Sequence, residues 1–219
     1  TAAEINRIFA IADDLKAKLN EGLREPILPG RILGLLFEKP SLRTRVSFEC
    51  GMAHMGGSSL FLGEDVGWGK RETPADFTRV LSQYVDIIVC RAKSHTKVEE
   101  LAKYATCPVI NGLTDLSHPC QALADLYTLR EVDGSLDGKR LAYVGDANNV
   151  ARSLAVACAR LGVTLSIAAP SGYEFDEAFL KRLADEHPDA TIAGTNSPAE
   201  AVTDADAVYT DVWASMGQE

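Results

Sequence analysis

Short apolar, β-rich runs alternate with amphipathic stretches from residue 32 to residue 211. Strands are expected at 32–37, 59–62, 86–91, 108–111, 140–145, 164–169, 191–193 and 207–211. Helical patterning fills the intervals at 41–55, 74–84, 98–104, 118–130, 149–161, 175–186 and 198–202. Strand, helix, strand at this rhythm predicts an α/β fold built on parallel sheets covered by helices on both faces. Sheets of that kind take their ligands at the carboxyl ends of the strands. The polar segment EVDGSLDGKR, residues 131–140, holds two glycines and divides the strand candidates four and four. It is expected to join two α/β domains, 1–131 and 132–219, with the helix at 118–130 as the connecting element. A chain of 219 residues suits one large domain or two small ones. No low-complexity tract and no internal repeat is visible.

Composition narrows the partners. A net charge of −9 argues against nucleic acid or an anionic membrane, so any anion site must be local. The five cysteines are odd in number, form no C-x-x-C pair and have apolar neighbours, which predicts reduced thiols in a cytoplasmic protein and argues against zinc. No apolar run approaches the length of a membrane span. The N-terminal stretch TAAEINRIFAIADDLKAKL is amphipathic and carries acids, so it is expected to be a helix and not a signal peptide.

Against that acidic background, FEKPSLRTRVSFE (37–49) crowds Lys39, Arg43 and Arg45 beside Ser41, Thr44 and Ser47. Pro40 disfavours helix at Lys39, so Ser41 is the expected N-cap. The first turn beyond it offers backbone N–H groups with partial positive charge, where an oxyanion is stabilised. Arg43 can add a bidentate fork and Thr44 a hydroxyl donor. There is no G-x-x-x-x-G-K-[ST] loop. A capped surface helix with solvated arginines explains the stretch equally well on physics alone. Two other features favour the anion site. Arg91 ends a buried-looking strand, on the ligand side of an α/β sheet. His118 and Gln121, three residues apart at a helix start, share one face. Arg43, Thr44, Arg91, His118 and Gln121 are expected at one edge of the same sheet, whereas His54, His95 and His187 are read as structural.

Together, Ser41-Leu42-Arg43-Thr44-Arg45 and His118-Pro119-Cys120-Gln121 resemble the S-T-R-T-R and H-P-x-Q motifs of the carbamoyltransferases. Leu42 stands where threonine is commoner, leaving its backbone N–H for phosphate. TDVWASMGQE (210–219) is similar to the D-x-W-x-S-M-G signature of the ornithine-specific branch, and YVGDANNVARS (143–153) to its G-D-x-N-N turn. The stretch INGLTDL (110–116) is likewise similar to the loop leading into the histidine motif.

The resemblance implies carbamoyl phosphate in the first domain, L-ornithine in the second, and citrulline and phosphate as products. Ser41, Leu42, Arg43 and Thr44 would bind phosphate; Arg91, His118 and Gln121 would act on the carbamoyl group. Asp211, Ser215 and Met216 would hold ornithine, with Asn149 on its carboxylate. The resemblance also implies a homotrimer in which a loop at 64–72 brings Lys70 to the neighbouring subunit's phosphate. It implies no metal and no organic cofactor. The family's H-C-L-P loop and final helix are not among the 219 residues, so the phosphate site is expected complete and the acceptor site short of one loop.

Three alternatives stay open at this point. One is transfer to aspartate, which lacks a basic cluster near Asp211 to hold two carboxylates. Another is a dinucleotide enzyme, which lacks G-x-G-x-x-G after the strand at 140–145. The third is a non-catalytic, carbamoyl phosphate-binding fragment.

Overall fold

The computed structural model describes residues 1–211. After helix α1 (Ala2–Asn20) the chain runs β1 (Ile32–Phe37), α2 (Leu42–His54), β2 (Ser58–Leu62), a 3-10 turn (Glu64–Val66), α3 (Pro74–Leu81), β3 (Ile87–Arg91), α4 (His95–Tyr104) and β4 (Val109–Leu113). It continues through α5 (Pro119–Asp133), β5 (Arg140–Val144), α6 (Asn149–Leu161), β6 (Thr164–Ala168), α7 (Glu177–Glu186), β7 (Ile192–Thr195), α8 (Pro198–Ala201) and β8 (Ala207–Thr210). Two four-stranded sheets result, ordered β2-β1-β3-β4 and β7-β6-β5-β8. Every pairing is parallel.

The central strands are buried on both faces, which is why they read as continuous apolar runs and not as alternating ones. Leu35, Ile88, Val89 and Cys90 have no exposed surface in the first sheet, nor do Ala142, Tyr143 and Leu165 in the second. Truncating Leu35 to alanine should therefore cost about 2–5 kcal/mol.

Chain order makes one crevice in each sheet. From β1 the chain winds outward to β2, then returns past β1 to lay down β3 on the other side. From β5 it winds outward to β6 and β7, then returns to place β8 on β5's free edge. The switch points thus lie at the carboxyl ends of β1 and β3, and of β5 and β8, where open α/β sheets bind ligands.

The described chain forms two compact units, residues 7–116 and residues 1–6 with 117–211. They part before α5, fifteen residues ahead of the join expected at 131/132, because α5 packs on α6 of the second unit. Among the other boundaries that differ from expectation, two bear on the neighbourhood of the site. Helix α4 begins at His95, where the Asp115 carboxylate accepts the His95 N–H at 2.8 Å. Strand β4 runs through Asn111 and Gly112 to Leu113, past the end of its apolar run.

Candidate active site

In the first unit, Phe37 at the end of β1 pairs with Arg91 at the end of β3. Arg91 is only 6% exposed. Its Nη1 donates to Thr44 Oγ1 at 3.0 Å, while its Nε is buried and meets no acceptor. Burial lowers the Arg91 pKa, but a guanidinium stays charged throughout the accessible range. A buried cation without a full set of acceptors is costly, and an anion removes that cost.

The start of α2 faces the same requirement. Ser41 is its N-cap, accepting from the Thr44 N–H at 3.4 Å and donating to Thr44 Oγ1 at 3.0 Å. No acidic residue occupies the first turn of α2 to offset its partial positive charge. Ser41, Thr44 and Arg91 therefore converge. Leu42 and Arg43 are exposed on that first turn. Arg45 behaves as a solvated surface arginine: it pairs with Glu49 at 3.0 Å and lies over the Phe61 ring. A surface-helix account covers Arg45 but leaves the burial of Arg91 unexplained. Lys70 is exposed in a turn closed by its own N–H to Gly67 O, at 2.9 Å.

In the second unit, β5 ends in a sharp turn at Gly145, whose φ of 148° favours glycine. Asn148, three residues on, caps α6. Its Oδ1 accepts from the N–H groups of Val150 (2.9 Å) and Ala151 (3.1 Å). With Oδ1 so engaged, Nδ2 faces the other way and donates to Asp211 Oδ2 at 2.8 Å.

Asn149, the expected ligand, is the first residue of α6, and its carbonyl accepts from Ser153 Oγ at 2.9 Å. The Asn-Asn pair was the signal for Asn148. The helix starts at Asn149 as expected, and the capping side chain is that of the residue before it. Below this corner the Tyr143 and Tyr209 rings stack at 5.5 Å. Burial, then the charges of Asp125 and Asp211, push the Tyr209 phenol up to about 12. Burial, then Asp211, raise Tyr143 as well.

His118 caps α5 with Pro119 behind it. Its N–H donates to Ser153 Oγ at 2.8 Å, which fixes the start of α5 against α6. Gln121, in the same first turn, donates through Nε2 to Asp125 Oδ1 at 2.8 Å. His118 and Gln121 thus belong to the compact unit of Asn148 and Asp211, and Thr44 and Arg91 to the other. Ser215 and Met216 lie outside the described residues. Among the described residues no group of His, Cys, Asp and Glu is arranged to hold a metal ion. No helix there is long and apolar enough to cross a membrane.

Comparison with known proteins decides the family. A family model described as "Aspartate/ornithine carbamoyltransferase, carbamoyl-P binding domain" matches residues 1–131, and its companion, the "Asp/Orn binding domain", matches residues 137–219. The chain belongs to the aspartate/ornithine carbamoyltransferase family. Within this family of transferases it is 56% identical to the ornithine carbamoyltransferase of Anoxybacillus flavithermus, over 99% of this chain and 70% of that protein. It is 50% identical to the anabolic ornithine carbamoyltransferase of Pyrococcus furiosus, over 100% of this chain and 70% of that protein. The solved ornithine carbamoyltransferase of Pyrococcus furiosus superposes with a TM-score of 0.94 at 50% identity, over 100% of this chain and 71% of that one. That of Thermus thermophilus gives 0.87 at 42% identity, over 97% and 71%. Family matching by sequence thus divides the chain after residue 131, whereas packing divides it before α5.

Proposed function

We propose that the protein transfers the carbamoyl group of carbamoyl phosphate to the side-chain amine of L-ornithine, giving citrulline and phosphate. The observation that carries this reading is the buried Arg91, its Nε without an acceptor, beside the N-terminus of α2. Phosphate binds to the helix N–H groups, including that of Leu42, with Ser41, Arg43 and Thr44. Arg91, Thr44 and His118 aim donors at the carbonyl oxygen, where charge develops. Gln121, its Nε2 already given to Asp125, has Oε1 left to accept from the carbamoyl NH2. In the second unit Asp211 supplies negative charge for an ammonium group, Asn149 at the start of α6 takes the carboxylate, and Ser215 and Met216 complete the acceptor pocket.

The neutral amine attacks the carbonyl carbon. A C–N bond forms and the carbonyl becomes an oxyanion; its collapse breaks the C–O bond to phosphate, and the amine's proton is released. Much of the acceleration comes from holding amine and carbonyl in reach of each other. We further propose a homotrimer, Lys70 reaching the neighbouring subunit's phosphate, and a cytoplasmic location. All five cysteines are free thiols, as a reducing compartment keeps them.

The test is product analysis with labelled carbamoyl phosphate and either L-ornithine or L-aspartate. Labelled citrulline with ornithine, and no product with aspartate, is the expected result. N-carbamoylaspartate as the product would overturn the reading.

A further inference from the structure

We infer that Asp125 is a positioning residue: it fixes which end of the Gln121 amide is offered to a ligand, and so makes the protein select a ligand bearing N–H at that point. The inference rests on the proposed function, because it takes Gln121 as the group that meets the carbamoyl NH2.

A glutamine amide has two ends of opposite character, one oxygen that accepts and one NH2 that donates, and a half-turn exchanges them. Asp125 lies one helical turn beyond Gln121 on α5, and its Oδ1 is 2.8 Å from Gln121 Nε2. An ionised carboxylate only accepts. At 2.8 Å from Nε2, Oδ1 is the accepting partner, and Oε1 is the end left over.

Packing alone does not require an acid at this position. Around it α5 packs through Ala122, Leu126 and Leu129. Asp125 is half-buried, and its Oδ2 is shut off from solvent without a donor at hydrogen-bond geometry. The Tyr209 phenol also bears on the carboxylate, though it does not complete Oδ2 at that geometry. Burying a carboxylate with one oxygen unsatisfied is unfavourable, and steering Gln121 is a use that a leucine or an asparagine could not serve.

The test uses two stable ligands that differ only at the group Gln121 would read. Phosphonoacetamide carries the NH2, and acetonylphosphonate carries a methyl there. Calorimetry on the wild-type protein should show tighter binding of phosphonoacetamide. In Asp125→Asn the new side chain can donate as well as accept, so both Gln121 orientations become available. Phosphonoacetamide affinity should fall by about twofold, as for an amide turned the wrong way about half the time, while acetonylphosphonate affinity stays unchanged. Gln121→Ala should lose the same preference, and adding Asp125→Asn to it should change the preference no further. Equal weakening of both ligands in Asp125→Asn would show a merely structural role, and an unchanged preference would likewise overturn the inference. Binding of neither ligand by the wild-type protein would overturn the proposed function and this inference with it.

Discussion

Arg91 and Asp211 hold corresponding places in two different sheets. Arg91 closes β3 and Asp211 directly follows β8, each on the strand laid down across the switch point. Each is met by a side chain at the start of the helix that follows the central strand, Thr44 on Arg91 and Asn148 on Asp211. Only the sign of the charge differs, which suits one crevice to an anion and the other to a cation. Arg91 was legible because a cation at the end of an apolar run is conspicuous. Asn148 was not: the helix start at 149 matches the sequence pattern, but two adjacent asparagines look alike in sequence, and only the contact of Asn148 with Asp211 sets it apart. Asn148→Ala removes both the cap of α6 and the donor to Asp211. We expect a loss of about 1 kcal/mol, read from urea unfolding, with a weaker apparent affinity for ornithine. Asn148→Ser should recover the stability, since serine caps well, but not the affinity, since it cannot span to Asp211. Recovery of both would reduce Asn148 to a cap.

At the scale of elements, the two sheets share one fastening. Asp86 precedes β3 and accepts the Ile32 N–H at 2.8 Å and Arg31 Nη1 at 2.6 Å. Asp206 precedes β8 and accepts the Arg140 N–H at 2.8 Å and Lys139 Nζ at 3.2 Å. The sequence shows no repeat here because the shared parts are backbone N–H groups, a single acid and an interchangeable cation. In both cases the strand's N–H, then the neighbouring cation, hold the carboxyl below the ordinary aspartate value of 3.8. A depressed folded pKa gives stability that is fully present above 3.8 and is lost as pH falls through the lowered value. Asp86→Asn and Asp206→Asn should therefore flatten the fall of Tm with acidification below that point, which thermal melts from pH 2 to 7 would show. An acid arm as steep as the wild type's in the double variant would contradict this. The strands themselves were legible as apolar runs buried on both faces. The start of α4 and the end of β4 were not, since Asp115 and the Asn111-Gly112 pair act through tertiary hydrogen bonds that carry no periodicity.

At the scale of the whole molecule, the two α/β units were legible as four strands on each side of the polar segment at 131–140, and α5, which the sequence reading joins to the first, packs on α6 of the second. Helix α5 has no pronounced amphipathic face to direct it, and what commits it is the His118 N–H on Ser153, a contact between residues 35 apart in sequence. The two families of charge also coexist in a chain of net −9, so the proposed reading needs a local source of attraction for an anion, Arg91, Arg43 and the α2 N-terminus, and not the general field. Calorimetric titration of carbamoyl phosphate into the wild-type protein and into Arg43→Ala, Arg91→Ala and Arg91→Lys tests this most directly. We expect saturable binding by the wild type and losses of roughly 1.5–3 kcal/mol in each alanine variant, the range for hydrogen bonds to charged groups. Lysine at position 91 should recover little, because a point charge does not reproduce the planar fork. No saturable heat with the wild-type protein, or an affinity unchanged by removing Arg91, would contradict the account.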